Sequence, residues 1–377
     1  MRKTGIIALT GLLGGLAVIA WSIPRDQTGT TRVYYVAAEE VDWDYAPAPN
    51  DLVSGRPFEG LQMMLTTSAE DRIGKVYRKA LYREYTDSSF TTRKPRPPGW
   101  QHLGLLGPLL RGSVGDTIKV IFRNLASRPY SMHPHGVFYN KDSEGAPYDD
   151  GRSGADDADD AVAPGQTHTY VWPVPERAGP AHGEGSTAFW MYHSHVEENK
   201  DVNAGLVGPM IITTRGSARP DGSPTDVDRE LIVMFGEFDE IESHYYQHNV
   251  AAHADTAKVP KTYTFADPYY LINLRETMNG FSFGNIPGLT MRVGERVRWY
   301  VFATSNFEVH APHWHGQTAV ANHMRTDVLS LVTMQMVTAD MVPDNPGTWL
   351  FHCHVGPHSM VGMNGLFRVE GGTAATR

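Results

Sequence analysis

Ten of the chain's 17 histidines fall in four short stretches: His133 and His135 in HPHG, His193 and His195 in HSH, His310, His313 and His315 in HAPHWHG, and His352, His354 and His358 in HCHVGPH. Residues i and i+2 of a strand point to the same face, so each HxH pair sets two imidazoles side by side. One such pair is ordinary on a protein surface. Four at matching places point to metal, and imidazole suits copper, zinc, iron or nickel. The single cysteine narrows the choice. Cys353 stands between His352 and His354, so on a strand it faces the opposite way. His358 and Met363 follow it, and His310 precedes the HWH. Two imidazoles, one thiolate and a methionine form the donor set of a blue-copper electron-transfer site. The cysteine is therefore expected to be a metal thiolate rather than half of a disulfide or a loose thiol. Cys353, His352 and His354 are the residues expected to carry an electron, through a few covalent bonds, from that copper to other metals.

The elements that must position these residues are strands, and the pattern is written twice. VGDTIKVIFRN (114–124) corresponds to VGERVRWYVFA (293–303) at an offset of 179, HPHG to HWHG at 180, and WMYHSHV (190–196) to WLFHCHV (349–355) at 159. Loop length accounts for the difference in offsets. The repeats divide the chain into domain 1 over 31–216 and domain 2 over 226–371, joined by the Gly-, Pro-, Ser- and Asp-rich stretch 213–228. RVYYVAAEEVDWDYAP, GDTIKVIFRN and THTYVWPV read as strands, and no long 3.6-residue period competes with them. KVYRKALYREYT (75–86) is ambiguous and is compatible with a short helix. Two Greek-key β-sandwiches, one per repeat, fit this strand density.

The bulk numbers agree. A chain of 377 residues, 41% hydrophobic, with 37 glycines and 25 prolines, suits a turn-rich β protein of two or three domains. Its net charge of −9 argues against a nucleic-acid partner. Residues 1–30 hold Arg2 and Lys3, then an apolar run from Gly5 to Trp21, then a polar linker. That is a secretory signal or an N-terminal anchor; either puts the body outside the cytoplasm, in the periplasm, at the envelope or in the medium.

HPHG, HSH, HAPHWHG and HCHVGPHSMVGM resemble the four copper signatures of the multicopper oxidases. YYVAAEEVDWDYAP, YRKALYREYTD, LGLLGPLLRGSVGDTI, HPHGVFYNKDSEGAPY and FDEIES are similar to the ceruloplasmin–hephaestin branch, which is related to the A domains of coagulation factors V and VIII. The resemblance runs over nearly the whole chain after the N-terminal segment. It departs in size, since ceruloplasmin has six such domains and this chain has two, as small bacterial and archaeal members do. It implies an all-β chain of two cupredoxin-like Greek-key sandwiches. It also implies a type 1 copper on His310, Cys353 and His358 with Met363 axial, a type 2 copper on His133 and His313, and a type 3 pair on His135, His193, His195, His315, His352 and His354. Domain 1 has Ser194, Asn199 and Ala204 where domain 2 has Cys353, His358 and Met363, so one type 1 copper, and four coppers in all, are expected per chain. Each domain offers four trinuclear ligands, so the cluster must sit between a domain 1 and a domain 2, within one chain or between neighbours. A head-to-tail contact that closes makes a ring, and a homotrimer would reproduce the six domains of the larger relatives.

The activity implied is reduction of O₂ to water with four one-electron oxidations of a phenol, as in laccases, or of Fe²⁺ or Cu⁺, as in ferroxidases. A copper store and a copper nitrite reductase are the alternatives. The first would show eroded ligand motifs. The second would carry its blue-copper cysteine in domain 1. Other stretches stay open. DDGRSGADDADDAVAPG (149–165) is a solvated acidic loop or a calcium site; a similar loop binds calcium in ceruloplasmin and factor VIII, and Asp159 and Asp160 match it best. Glu237, Asp239, Glu240 and Glu242 in GEFDEIES are solvated strand-end carboxylates or a dock for a substrate metal. Met324, Met334, Met336, Met341 and Met360 read as core residues before a cuprous-ion path. His244, His248 and His253 read as surface histidines. Asp149, Glu197 and Glu198 are candidates for delivering protons to an oxygen site.

Overall fold

The computed structural model describes residues 29–151, 153–304 and 308–371. The apolar run Gly5–Trp21 lies outside them. Among the described residues no helix is long and apolar enough to cross a membrane.

Among the described residues four sheets form two sandwiches. The first sheet orders Val76–Tyr85, Thr31–Asp44, Thr117–Asn124 and Thr167–Pro173; the second orders Leu110–Ser113, Val207–Thr213, Thr187–His193 and His133–Pro134. The third orders Leu274–Met278, Arg229–Asp239, Val297–Thr304, Met336–Met341, Ala319–Ala321 and Met324–Thr326; the fourth orders Thr290–Arg292, Asn364–Glu370, Gly347–Cys353 and Pro312–Trp314. The repeat is visible in the pairing. Thr31–Asp44 runs parallel to Thr117–Asn124 as Arg229–Asp239 does to Val297–Thr304. The segment 75–86 is not a helix but the strand Val76–Tyr85, paired antiparallel with Thr31–Asp44. Its residues Tyr77, Ala80, Leu81, Tyr82 and Tyr85 are buried from two sides, which hides the simple alternation of a half-exposed strand.

Side-chain alternation builds three apolar layers. Val36, Val120, Trp172, Tyr192 and Met210 fill the space between the first and second sheets. Val233, Trp299, Trp314, Phe351 and Phe367 fill that between the third and fourth. The outward residues Phe189, Met191 and Ile211 of the second sheet pack on Ile232, Met234, Tyr300 and Phe302 of the third. The third sheet therefore lies between the second and the fourth. Buried ion pairs join the two sandwiches: Lys79 Nζ to Glu240 Oε1 at 2.5 Å and Arg111 Nη2 to Glu230 Oε2 at 2.6 Å.

Candidate metal centres

Each sandwich brings its two histidine signatures together in the same way. His133, on a two-residue edge strand, sits directly opposite His193, and His313 sits directly opposite His352. The glycine that ends each HxHG turn is needed there. Gly136 (φ +79°) and Gly316 (φ +67°) adopt left-handed backbone, and a Cβ would lie 2.3 Å from Trp190 in the first and 2.8 Å from Trp349 in the second. These tryptophans begin the WMYHSH and WLFHCH signatures, so glycine and tryptophan hold the paired motifs in register.

In domain 1 the His135 and His193 Nε2 atoms are 3.1 Å apart, and the His133 ring lies 5.2 Å from that of His195. In domain 2 His352 Nε2 is 3.1 Å from His315 Nε2 and 3.3 Å from His313 Nδ1, and the His354 ring is 5.0 Å from that of His313. Burial pulls His135 down to about 4 and His193 to about 3, so both are neutral at pH 7 with lone pairs to offer. Among the described residues no ring contact or hydrogen bond joins one quartet to the other. The layers explain this. One quartet sits on the second sheet and the other on the outward face of the fourth, with the third sheet between them, and sheets stack about 10 Å apart.

The second centre is inside domain 2. Cys353 turns into the core while His352 and His354 face outward. Its Sγ is 3.5 Å from His358 Nδ1 and 3.9 Å from His310 Nδ1, and those two nitrogens are 3.2 Å apart. Met363 is wholly buried in the same core, and its carbonyl accepts from Cys353 N at 3.0 Å. Burial raises the thiol above its ordinary value, opposed by the Ala311 N–H at 3.3 Å from Sγ. His310 is pulled down to about 3 by burial, then by His358. Three soft-to-borderline donors converge in a dry pocket, which fits copper by donor chemistry.

Domain 1 is different at the matching place. Ser194 Oγ donates to Asp201 Oδ2 at 2.7 Å; that oxygen also accepts from Val196 N and Glu197 N, and His244 Nε2 lies 2.9 Å from Asp201 Oδ1. Hydrogen bonds fill this space. His244 is thus a partner of a buried aspartate, not the surface histidine expected from sequence.

The carboxylates of GEFDEIES depart from expectation too. Glu240 is fully buried, bound to Lys79 and accepting from Tyr45 OH, so it serves the domain contact and cannot meet a solvated ion. Asp239 is buried and accepts from Tyr270 OH at 2.7 Å. Glu242 is exposed. Only Glu237 comes near the Cys353 centre, through two glutamates that sequence reasoning missed. Glu276 faces Glu237 directly across an antiparallel pair. His358 Nε2 lies 3.9 Å from Glu276 Oε1 and 3.8 Å from Glu308 Oε2. Burial first, then the Glu237 charge, holds the Glu276 carboxyl well above its ordinary range. Glu308 had a faint signal, two residues before His310. Glu276 had none, because only strand register brings it to the site.

Asp159 is wholly buried; its Oδ2 accepts from Gly145 N at 2.6 Å and its Oδ1 has no hydrogen-bond partner among the described residues. Burial pushes Asp159 up to about 6, and burial with the Asp159 charge pushes Asp160 to about 6. Glu198 stands 3.4 Å from His195 Nε2 and 4.0 Å from His193 Nε2, whereas Glu197 is tied to Lys200 at 2.5 Å. Asp149 is exposed.

Residues 101–217 and 252–372 each match the profile of the multicopper oxidases. The chain belongs to that family. It is 41% identical to Ferroxidase HEPHL1 of Mus musculus over 98% of its own length and 31% of the relative's. It is 40% identical to Hephaestin of Homo sapiens (92% and 30%) and 39% identical to Ceruloplasmin of Homo sapiens (90% and 32%). The chain thus spans about a third of the length of these relatives. Among solved structures it resembles a blue copper oxidase from Nitrosomonas europaea, with a TM-score of 0.56 at 18% identity over 90% of this chain and 86% of that one. A multicopper oxidase structure covers 92% of this chain and 88% of its own at 19% identity and a TM-score of 0.57. These likenesses agree with the two cupredoxin-like sandwiches.

Proposed function

We propose that this multicopper oxidase takes its electrons from a small metal cation, Fe²⁺ foremost, and passes them to O₂. The observation that carries this is the two-sided environment of His358. Its Nδ1 faces Cys353 and His310, and its other nitrogen faces Glu276 and Glu308. One imidazole therefore separates the cysteine centre from a carboxylate nest. Glu276 and Glu237, opposed across strands, would repel as anions, and a divalent cation between them relieves that repulsion. Hard oxygen donors of this kind hold Fe³⁺ more tightly than Fe²⁺, which favours giving up the electron. The name of one relative, Ferroxidase HEPHL1, supports the same reading.

His310, Cys353, His358 and Met363 would hold a type 1 copper. His133 and His313 would hold a type 2 copper, with His135, His193, His195, His315, His352 and His354 around a type 3 pair. Copper there would supply one-electron acceptance at the first centre and four-electron reduction of O₂ to water at the second. The chain's own part is to bind the donor cation, exclude water around Cys353 and connect the centres through the His352–Cys353–His354 backbone. Glu198, beside His193 and His195, would hold a proton at the oxygen site. The separation of the two quartets within one chain supports clusters shared between neighbours, in a ring of three chains working outside the cytoplasm. Calcium at Asp159 and Asp160 would satisfy the lone buried oxygen and the two raised carboxyls.

The test is stopped-flow oxidation of Fe²⁺ and of a phenol by the copper-loaded protein, with O₂ uptake followed. Glu276→Gln and Glu308→Gln should lower kcat/KM for Fe²⁺ at least tenfold and leave the phenol rate within about twofold. A phenol preference indifferent to both changes would make the protein a small laccase. Full copper with no O₂ uptake from either donor would leave a copper store.

A further inference from the structure

Away from the metal centres, a cavity of about 620 Å³ opens where the strand Val76–Tyr85, the loop 93–109 and the interdomain linker meet. It is rich in cations although the chain carries a net charge of −9. Three of them are neutralised: Arg93 by Glu39, Lys94 by Glu84 at 2.8 Å and Arg111 by Glu230 at 2.6 Å. Asp221 also lines the cavity, its Oδ1 accepting from Ser223 N and Oγ.

Arg83 and Arg96 are left over. Among the described residues neither forms an ion pair with a carboxylate. Arg96 Nη1 and Nη2 donate to the carbonyls of Gly104 and Leu106 at 2.8 and 2.6 Å, and Arg83 Nη1 reaches only the neighbouring Tyr82 carbonyl at 3.3 Å. A guanidinium carries five N–H donors, so most of Arg83's capacity is unused. Burial pulls Arg83 down to about 10, and burial with the Arg83 charge does the same to Arg96. The positive field reaches further: burial, then Arg96, pulls His102 down to about 4. Two half-buried like charges without a counter-ion cost stability unless something compensates them. The wall opposite is aromatic, with Trp100 under Arg111 and Tyr34 beside it.

We propose that this cavity binds a small doubly charged oxyanion, of the phosphate or dicarboxylate kind, between the forks of Arg83 and Arg96. Planar guanidinium donors match such oxygens in pairs, and two forks match two charges. The anion would also tie together three segments that meet at the domain junction, so its binding should stiffen that junction.

The experiment is calorimetric titration of the copper-loaded full chain with inorganic phosphate and, separately, with malonate at constant ionic strength, on wild type and Arg83→Gln. Arg83 makes no bond that holds a loop, so the variant should fold and keep its oxidase rate; circular dichroism and turnover check this. Saturable binding of one ion per chain is expected, weakened at least tenfold in Arg83→Gln. Without anion the variant should melt above wild type, since one of the two half-buried like charges is gone, and anion should raise its Tm less. Binding by phosphate alone, malonate alone or both would each support the site and name its occupant. No saturable heat with either ion, or equal affinity in Arg83→Gln, overturns the proposal.

Discussion

At the residue scale, the histidines and the cysteine were legible because their spacing is short and local. The carboxylates were not. GEFDEIES drew attention to four acids, yet Glu240 turns inward to Lys79 while Glu276, in an unremarked LRETMNG, faces Glu237 across the sheet. Calcium at the acidic loop gives a prediction with a definite sign. The Asp159 and Asp160 carboxyls are raised from 3.8 to about 6 in the fold. A raised acid adds stability below its unfolded pKa and loses it as pH climbs through the folded one, here from roughly 4 to 6. Protons and Ca²⁺ compete for these oxygens. The rise in Tm on adding Ca²⁺ to chelator-treated protein should therefore be larger at pH 7 than at pH 5, and Asp159→Asn should abolish it. An increment that is equal at both pH values would assign it to another site.

Among the elements, the HxHG turns and the domain contact make separate demands. Gly136→Ala would force a side chain into left-handed backbone and against Trp190. A loss of about 2 kcal/mol or more is expected by chemical denaturation, with His133 and His135 displaced and less copper bound per chain. The ambiguity of 75–86 has its cause here too. That strand is covered on one face by its own sandwich and on the other by the domain contact, so its hydrophobic period reflects two partners. Lys79 is the polar member of that covered face. Lys79→Met alone leaves Glu240 charged in the interior and should cost about 3–5 kcal/mol, whereas pairing it with Glu240→Leu should recover most of the loss. Additive losses in the double variant would mean that the two residues do not act as a pair.

For the whole molecule, the layer order is decisive. A shared cluster between chains permits a complementation test that a cluster within one chain does not. His133→Ala/His135→Ala protein retains a sound domain 2, and His352→Ala/His354→Ala protein retains a sound domain 1. Each alone should be inactive. Mixed under conditions that exchange subunits, they should regain a fraction of wild-type O₂ uptake, because a neighbouring pair can assemble one intact octet. Sedimentation should give three times the chain mass. A monomer, or no recovery on mixing, would rule out the ring.

The clustering of the histidines with the cysteine, the duplication and the all-β class were determined by sequence alone, since each rests on short-range chemistry: imidazole spacing, a lone thiol and strand periodicity. Tertiary structure decided which acids meet which histidine, why the quartets of one chain stay apart, and where Arg83 and Arg96 come together with no carboxylate partner among the described residues. Those facts depend on strand register and on the order of stacked sheets, which are long-range pairings between distant segments. Burial decided the rest, because whether a carboxylate faces water or Lys79 is a property of the packed layers and not of the residues beside it in the chain.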